Sequence, residues 1–253
     1  MDKTIKQKLE HLNFSGVLNY MRPIERRPRD GSQLYTCVGF CHDCEDRGLS
    51  PSEGSSDILM SHGCTSDDFV EIIEQPLPEI KYSEPIMFLL ENPGGDYDLG
   101  DVRPCDNVAK KPPTKQFYFS SDLRRWPTSV ADIKNPYGDY FAYLMAKFGL
   151  ANVYITNCVK CKYRADWYAK TADNCIARFL EREIQLFRPR IIFCFGRRSS
   201  DELLWKRIQR PNKLPDVSFH KVRLLHPATR RKWEKVVQEN DRRISEALTT
   251  MST

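Results

Sequence analysis

Four short apolar segments, each ending in polar residues or glycine, dominate the hydrophobic pattern of the chain. Residues 87–98 read MFLLENPGGDYD, so a strand at Ile86–Leu90 ends in a carboxylate, an amide, a proline and two glycines. The segments VYITNCVKC, IIFCFG and VRLLHPATRR predict further strands at Val153–Asn157, Ile191–Phe195 and residues 218–225. Short apolar runs bounded by turn residues are typical of buried strands.

Segments with helical periodicity alternate with these strands. They cover residues 3–12, 66–75, 137–148, 174–187, 199–209 and 230–248. Gly149 follows the third of these segments as a C-terminal cap, and Pro189 stops the fourth. Alternating strands and helices indicate a parallel sheet that is covered on both faces. We therefore expect an α/β fold, a three-layer α/β/α sandwich around a central, mostly parallel four-stranded sheet.

Polar side chains stand where the predicted strands end. Glu91 and Asn92 follow the first strand, Asn157 closes the second, and His226 follows the last. In open α/β sheets, ligands bind in the crevice outside the carboxyl ends of the strands. The sequence therefore predicts one site that contains these four side chains.

The chemistry of these residues suits recognition of a polar ring, although each has a simpler interpretation. The Asn157 amide offers one acceptor and two donors, enough for bidentate contact with a pyrimidine edge, but it would also serve as a turn or capping residue. A lone histidine such as His226 is more often structural than catalytic. Asn92 would orient a water, and Gly94 with its neighbouring glycine would let a sugar or phosphate approach the backbone.

The length of 253 residues predicts a single domain with additions. Residues 1–80 form a cysteine-containing N-terminal extension, with a basic link at 22–29 and a Ser- and Gly-rich exposed loop at 50–65. Residues 95–136 form an insertion near the active site that carries the aromatic stretch QFYFSSDLRRW. Long insertions after an active-site strand are usually functional.

Charge and hydropathy narrow the partners. The net charge of +5 permits a polyanionic partner without requiring one. Arg230, Arg231 and Lys232 follow closely on His226, and this local cluster favours phosphate contacts over a solvated face. The sequence has neither an apolar run of eighteen residues nor a signal peptide at its polar N-terminus, so we expect a cytoplasmic protein without membrane contact.

Nine cysteines are many for a reducing compartment, where disulfides are rare. Cys41 and Cys44 have the spacing of a metal clip, as do Cys158 and Cys161, and Cys175 opens the following helix. Two such clips and a further cysteine favour an iron–sulfur cluster, with zinc as the alternative.

Two of the cysteines have a simpler role, and one run of three suggests another enzyme. We expect Cys158 and Cys194 to be small buried residues on strands. The spacing of Cys37, Cys41 and Cys44 also matches that of radical S-adenosylmethionine enzymes, although the chain lacks the repeated strand–helix units of their barrel.

Together, the segments resemble the uracil-DNA glycosylase superfamily, most closely its iron–sulfur branch, family four. ENPGG stands where that branch has a Gly-Glu-Ala-Pro-Gly loop, and VYITNCVKC is very close to its YITN-x-VKC segment. FRPRIIFCFG is similar to its proline–hydrophobic–LG strand, and LLHPATRR to its His-Pro-Ser loop. The resemblance covers roughly residues 85–233 and the cysteine clip near residue 41.

The resemblance implies a DNA glycosylase, acting on DNA as a monomer, and a role for each strand end. Glu91 stands at the family-four carboxylate, and Asn92 at the position that other branches fill with a water-activating Asp or Asn. Asn157 would contact the Watson–Crick edge of an extruded base. His226 would donate to the pyrimidine O2 as the glycosidic bond breaks.

The resemblance also implies a four-iron cluster and its ligands. These would be Cys41, Cys44, Cys161 and Cys175. The gap between Cys161 and Cys175 is slightly shorter than the usual family spacing, so Cys37 or Cys64 would be the replacement for one ligand. Thr229, Arg230, Arg231 and Lys232 would wedge the double helix and bind phosphate.

Two departures from the family concern the base pocket. The strict uracil enzymes carry a tyrosine after the proline that blocks C5 substituents, whereas Gly94 leaves room there. The stacking phenylalanine of family four is replaced by the insertion, where Phe117, Tyr118 and Phe119 are candidates, although an aromatic triplet is as often core. A C5-modified or glucosylated cytosine is therefore a possible substrate, in defence against foreign DNA rather than repair. The alternatives are a catalytically inactive DNA-binding relative and the radical enzyme.

Overall fold

A computed structural model describes most of the predicted strands and helices. The described residues are 1–12, 21–26, 35–41, 64–91, 123–134, 137–158, 176–197, 199–202, 205–206, 217–227 and 232–252.

The central sheet has five strands, which are, in chain order, β3 (Cys64–Thr65), β4 (Ile86–Leu90), β5 (Val153–Asn157), β6 (Ile191–Phe195) and β7 (His220–Leu224). Their order across the sheet is β3-β5-β4-β6-β7. β5, β4, β6 and β7 are parallel, and only β3 is antiparallel to its neighbour β5. The expected four-stranded sheet is one strand short, because the two-residue β3 is too brief to leave a hydrophobic pattern.

The bounds of β4, β5 and β6 are as the sequence predicts, and the predicted strand at 218–225 is β7. The helices are α1 (Lys3–His11), α2 (Ser66–Ile73), α3 (Gly138–Phe148), α4 and α5 (Trp233–Ser252). α4 begins as a π-helical turn, Ile176–Leu180, and continues as an α-helix, Glu181–Phe187. Of the predicted helix at 199–209, the described residues are 199–202 and 205–206.

The N-terminal region differs from the sequence-based expectation in two places. β1 (Met21–Arg26) and β2 (Tyr35–Cys41) form an antiparallel pair, so most of the expected basic link at 22–29 is a strand. The pairing of backbone groups with β2 compensates for the polar composition of β1. Cys64 and Thr65 are buried in β3, so the end of the expected exposed loop at 50–65 is also wrong.

Alternate residues of the parallel strands enter two different apolar layers. On one face, the ring of Phe88 lies 5.7 Å from that of Phe141 in α3 and 5.4 Å from that of Phe195 in β6. On the other face, the Glu183 carboxylate of α4 accepts hydrogen bonds from the hydroxyls of Tyr154 (2.7 Å) and Thr156 (3.0 Å). Helices therefore cover both faces, which confirms the three-layer α/β/α sandwich.

Helices α3 and α5 are joined by polar contacts as well as by the core. Lys147 Nζ lies 2.6 Å from Asp241 Oδ2, and the Tyr143 hydroxyl lies 2.9 Å from the same oxygen. One turn earlier on α3, the Tyr140 hydroxyl accepts a hydrogen bond from Asn240 Nδ2 at 2.9 Å. Within the described part of the chain, no helix has both the length and the apolar character that crossing a bilayer requires.

Substitution Phe88→Ala should lower the free energy of unfolding by about 3–5 kcal/mol, because it opens a cavity among three aromatic rings. Urea denaturation measures the loss. The control is Ile80→Ala, since Ile80 is 62% exposed and should change stability by less than about 0.5 kcal/mol. Equal effects of the two substitutions would contradict this account of the core.

Candidate active site

The carboxyl ends of β4 and β5 bring Glu91 and Asn157 to one edge of the sheet. Leu90 and Asn157 are partners in the parallel register, and the Cys158 N–H donates to the Leu90 carbonyl at 2.9 Å. Glu91 follows Leu90 directly. Asn157 is 2% exposed and continues the face of Val153, so its side chain belongs to the layer that contains α3 and α5.

Gly196, the first residue after β6, makes room for the Glu91 side chain. Its φ of +106° favours glycine, and its N–H donates to the Leu224 carbonyl at 3.1 Å. A Cβ on Gly196 would lie 2.6 Å from Glu91 Oε1, which no ordinary contact allows. The Glu91 carboxylate therefore crosses the end of β6 toward β7.

His226 completes the edge, two residues beyond β7. Burial lowers the pKa of His226 below its ordinary value, and the negative charge of Glu91 partly opposes this by raising it. The Tyr137 ring meets the imidazole edge to face, with 6.0 Å between ring centroids. His226 is therefore an uncharged imidazole at neutral pH, with a carboxylate and an aromatic ring as neighbours.

The structure thus brings together three of the predicted site residues, namely Glu91, Asn157 and His226. Lys232 is described as an exposed residue directly before α5. The other predicted base, sugar and phosphate contacts lie outside the described residues: Asn92, Gly94, Phe117, Phe119, Thr229, Arg230 and Arg231.

Two residues of the site, Gly196 and Tyr137, were not predicted. A glycine directly after an apolar strand was the available signal for Gly196, whose role depends on the side chain of a neighbouring strand. Tyr137 lies at the start of α3, in a segment predicted only as an amphipathic helix. Its contact with His226 joins residues 89 positions apart, so no local pattern indicates it.

The cysteine predictions have different outcomes. Cys158 and Cys194 are fully buried, as expected of small apolar residues, and burial raises the pKa of the Cys194 thiol. Cys64 is 1% exposed within the apolar core, so it is a core residue and no replacement ligand.

Of the predicted cluster ligands, the backbone of Cys41 is described as the last residue of β2, which also contains Cys37. Cys44, Cys161 and Cys175 lie outside the described residues. Among the side chains that are described, no three His, Cys, Asp or Glu residues form a metal-binding group. The cluster therefore stays a prediction.

Substitution Glu91→Gln should lower the pKa of His226 further, because it removes the charge that favours the imidazolium. An NMR titration of the His226 ring, assigned by its loss in His226→Gln, measures the pKa. Glu84→Gln is the control, since it removes a charge from the opposite end of β4, on the order of 20 Å away. An unchanged or higher pKa in Glu91→Gln would contradict the placement of the carboxylate.

The same shift fixes a sign for stability. Between the lowered pKa of folded His226 and about 6.5, the unfolded chain binds more protons than the folded one. The contribution of His226 to the stability of the fold is therefore fully present above about pH 6.5 and is lost as the pH falls through this window.

Comparison with known proteins adds the family to this geometry. No curated protein matches the chain significantly. The family model of the uracil DNA glycosylase superfamily matches residues 77–250, which is more than half of the 253 residues. The match includes all four parallel strands, α3, α4 and α5, and the three residues that meet at the carboxyl edge of the sheet. The chain belongs to the uracil DNA glycosylase superfamily.

Proposed function

We propose that the protein is a DNA glycosylase that excises uracil or a C5-modified pyrimidine and leaves an abasic site. The observation that carries the proposal is the convergence of Glu91, Asn157 and His226 at the carboxyl edge of the sheet, in a chain of this family. An amide, a carboxylate and an uncharged imidazole in one crevice are suited to a polar, flat ring.

The target base enters the crevice only when it has left the base stack or comes from a single strand. Asn157 projects from a paired strand, so its amide is held by the sheet rather than by a loop. In a flipped pyrimidine, the Watson–Crick edge presents a carbonyl oxygen next to a ring nitrogen. The Asn157 amide can meet such an edge with one donor and one acceptor.

His226 would assist departure of the base. When the bond between C1′ and the base nitrogen breaks, its electron pair leaves with the base, and the sugar becomes positive. A neutral imidazole N–H directed at the pyrimidine O2 stabilises the negative charge that develops there. The lowered pKa of His226 supports this role, since the ring stays uncharged at neutral pH and gains no charge before the reaction.

Water addition to C1′ restores a neutral sugar and releases a proton. We assign the orientation of this water to Asn92, the residue after Glu91 in the sequence. The position of the Glu91 carboxylate, against Gly196 and toward His226, supports a role beside the imidazole. Glu91→Gln should therefore change the pH dependence of base release, whereas Asn92→Ala should lower the rate at every pH.

Contacts to the rest of the DNA would come from the segment after His226 and from the insertion. Thr229, Arg230, Arg231 and Lys232 follow the histidine within six residues, and cations there would neutralise phosphates beside the flipped nucleotide. We assign stacking on the base to Phe117 or Phe119. A DNA substrate also implies an intracellular enzyme.

Gly94 leads us to propose a base with a C5 substituent, such as hydroxymethylcytosine or its glucosylated form. A tyrosine side chain at this position would fill the space beside C5, and glycine leaves that space open. Such specificity would serve defence against modified foreign DNA, whereas release of uracil alone would indicate repair.

The direct experiment incubates the protein with single- and double-stranded DNAs that carry uracil, hypoxanthine, hydroxymethylcytosine or glucosylated hydroxymethylcytosine. We expect abasic sites with at least one pyrimidine substrate. Asn157→Ala and His226→Gln should each lower the single-turnover rate about a hundredfold or more, since each removes a donor directed at the departing base.

Two residues at the opposite ends of the same strands provide matched controls. Asn152 precedes β5, and the exposed His220 begins β7, so Asn152→Ala and His220→Gln should leave the rate unchanged. Stoichiometric DNA binding without any abasic product would instead identify a catalytically inactive DNA-binding relative. The open sheet and the family match leave the radical enzyme without support.

We further propose that Cys41, Cys44, Cys161 and Cys175 hold a four-iron cluster. Two clips of the Cys-x-x-Cys type support the proposal. So does topology: the described chain ends at Cys158, at the carboxyl edge of β5, and resumes at Ile176, the start of the helix that covers this strand.

Anaerobically purified protein should be brown and contain about four irons and four sulfides per chain. Cys161→Ala and Cys175→Ala should each lower the iron content, whereas Cys194→Ala should not, because Cys194 is buried in β6. Stoichiometric zinc without iron would favour a zinc site. Loss of iron in Cys37→Ala but not in Cys161→Ala or Cys175→Ala would overturn the ligand set.

A further inference from the structure

A buried asparagine on α5, Asn240, contacts the backbone that carries His226. Asn240 Oδ1 accepts a hydrogen bond from the Leu225 N–H at 2.7 Å, and Asn240 Nδ2 donates to the Leu225 carbonyl at 2.9 Å. The second N–H of the amide donates to the Tyr140 hydroxyl at 2.9 Å. Asn240 is fully buried, and these three bonds determine the orientation of its amide.

The position of β7 explains why Leu225 needs this partner. β7 is the last strand in the sheet order, so one side of it has no neighbouring strand among the described residues. The Leu224 carbonyl accepts from the Gly196 N–H on the β6 side, and the backbone groups of Leu225 point the other way. The Asn240 amide takes the place of a neighbouring strand for this one residue.

His226 is therefore fixed by the residues on both sides. Leu225 is held by Asn240, and the ring of buried Pro227 fixes its own φ and restricts the backbone of His226 to extended conformations. The imidazole itself contacts Tyr137, on the same helix as Tyr140. No other side chain in the described part of the chain bonds both backbone groups of a residue next to the predicted site.

Tyr140 in turn fixes the amide. Its hydroxyl is fully buried, its ring packs edge to face on Trp233 with centroids 5.1 Å apart, and burial raises the pKa of its hydroxyl above the ordinary value. The hydroxyl therefore stays uncharged and is a permanent acceptor for Asn240 Nδ2. The contacts thus run from the core of α3 through Asn240 to Leu225 and His226.

We propose that Asn240 is a positioning residue that sets the place and the titration of the His226 imidazole. The consequence for base release rests on the proposed glycosylase function, while the consequence for His226 itself does not. Asparagine suits this position because only an amide gives one acceptor to the Leu225 N–H and a donor to its carbonyl. A carboxylate of the same shape would face the Leu225 carbonyl without a proton.

Three variants test the proposal: Asn240→Asp, Asn240→Ala and, as a control, Gln238→Ala, which removes an exposed amide from the same helix. In the free protein, NMR titration of His226 should show a pKa that rises toward the ordinary value in both Asn240 variants, since a loosened loop hydrates the ring. Gln238→Ala should keep the wild-type pKa.

In the base-release assay, both Asn240 variants should lower kcat by about tenfold to a hundredfold, as expected when a reacting group is displaced by about 1 Å, with a smaller change in KM. Asn240→Asp should recover relative to wild type as the pH falls, because a protonated carboxyl again donates to the Leu225 carbonyl. Asn240→Ala should show no such recovery, which separates positioning from a general loss of stability.

A His226 pKa and a kcat within twofold of wild type in folded Asn240→Asp and Asn240→Ala would overturn the proposal, even if both variants melt at lower temperature. If neither variant folds, Tyr140→Phe removes only the hydroxyl, and it should shift the His226 pKa in the same direction by a smaller amount. An unshifted pKa in Tyr140→Phe would then count against the proposal. A wild-type protein without base release would overturn the proposed function, and the titration would still decide the role of Asn240.

Discussion

The burial of the central strands on both faces constrains everything else in the molecule. β4, β5 and β6 are buried along their whole length, so their side chains lie in one apolar layer or the other. An unpaired polar group in such a layer costs free energy, and Thr156 is accommodated only because Glu183 accepts its hydrogen bond. Functional side chains are thereby confined to the ends of the strands, and parallel pairing places those ends at the same edge.

The electrostatics of this edge follow from how deep each group lies. Burial disfavours the charged form of His226, while the carboxylate of Glu91 favours it, and burial is the stronger effect. Gly196 makes the approach of the carboxylate possible, since any larger residue would collide with it. The result is an uncharged hydrogen-bond donor beside a carboxylate, which is the arrangement expected where negative charge develops on a departing base.

The sequence predicts the strands well because their signal is local. Ile86–Leu90 and Val153–Asn157 are continuous apolar runs that end at polar residues or turn residues, and the structure gives the same bounds. β3 and β1 escape prediction because a two-residue strand and a polar, proline-containing strand carry no such pattern. Their pairing is defined by their partners rather than by their own composition.

The candidate site divides in the same way. Glu91, Asn157 and His226 are predictable because each stands at the end of an apolar run. Gly196 and Asn240 are not, because their roles depend on distant side chains: Gly196 meets Glu91, and Asn240 bonds to Tyr140, one hundred positions earlier. Local patterns identify the groups that react, whereas the residues that hold them in place are found only in the folded chain.

The central claim is that one flipped pyrimidine is held between Asn157 and His226. A crystal structure with DNA that carries a 2′-fluorinated pyrimidine nucleotide tests it most directly, since the fluorine destabilises the positive sugar and slows bond cleavage. The account predicts that the base lies outside the duplex, with its Watson–Crick edge on the Asn157 amide and its O2 within hydrogen-bond distance of the His226 ring. A base that stays stacked in the duplex, or that binds away from the carboxyl edge of the sheet, would contradict it.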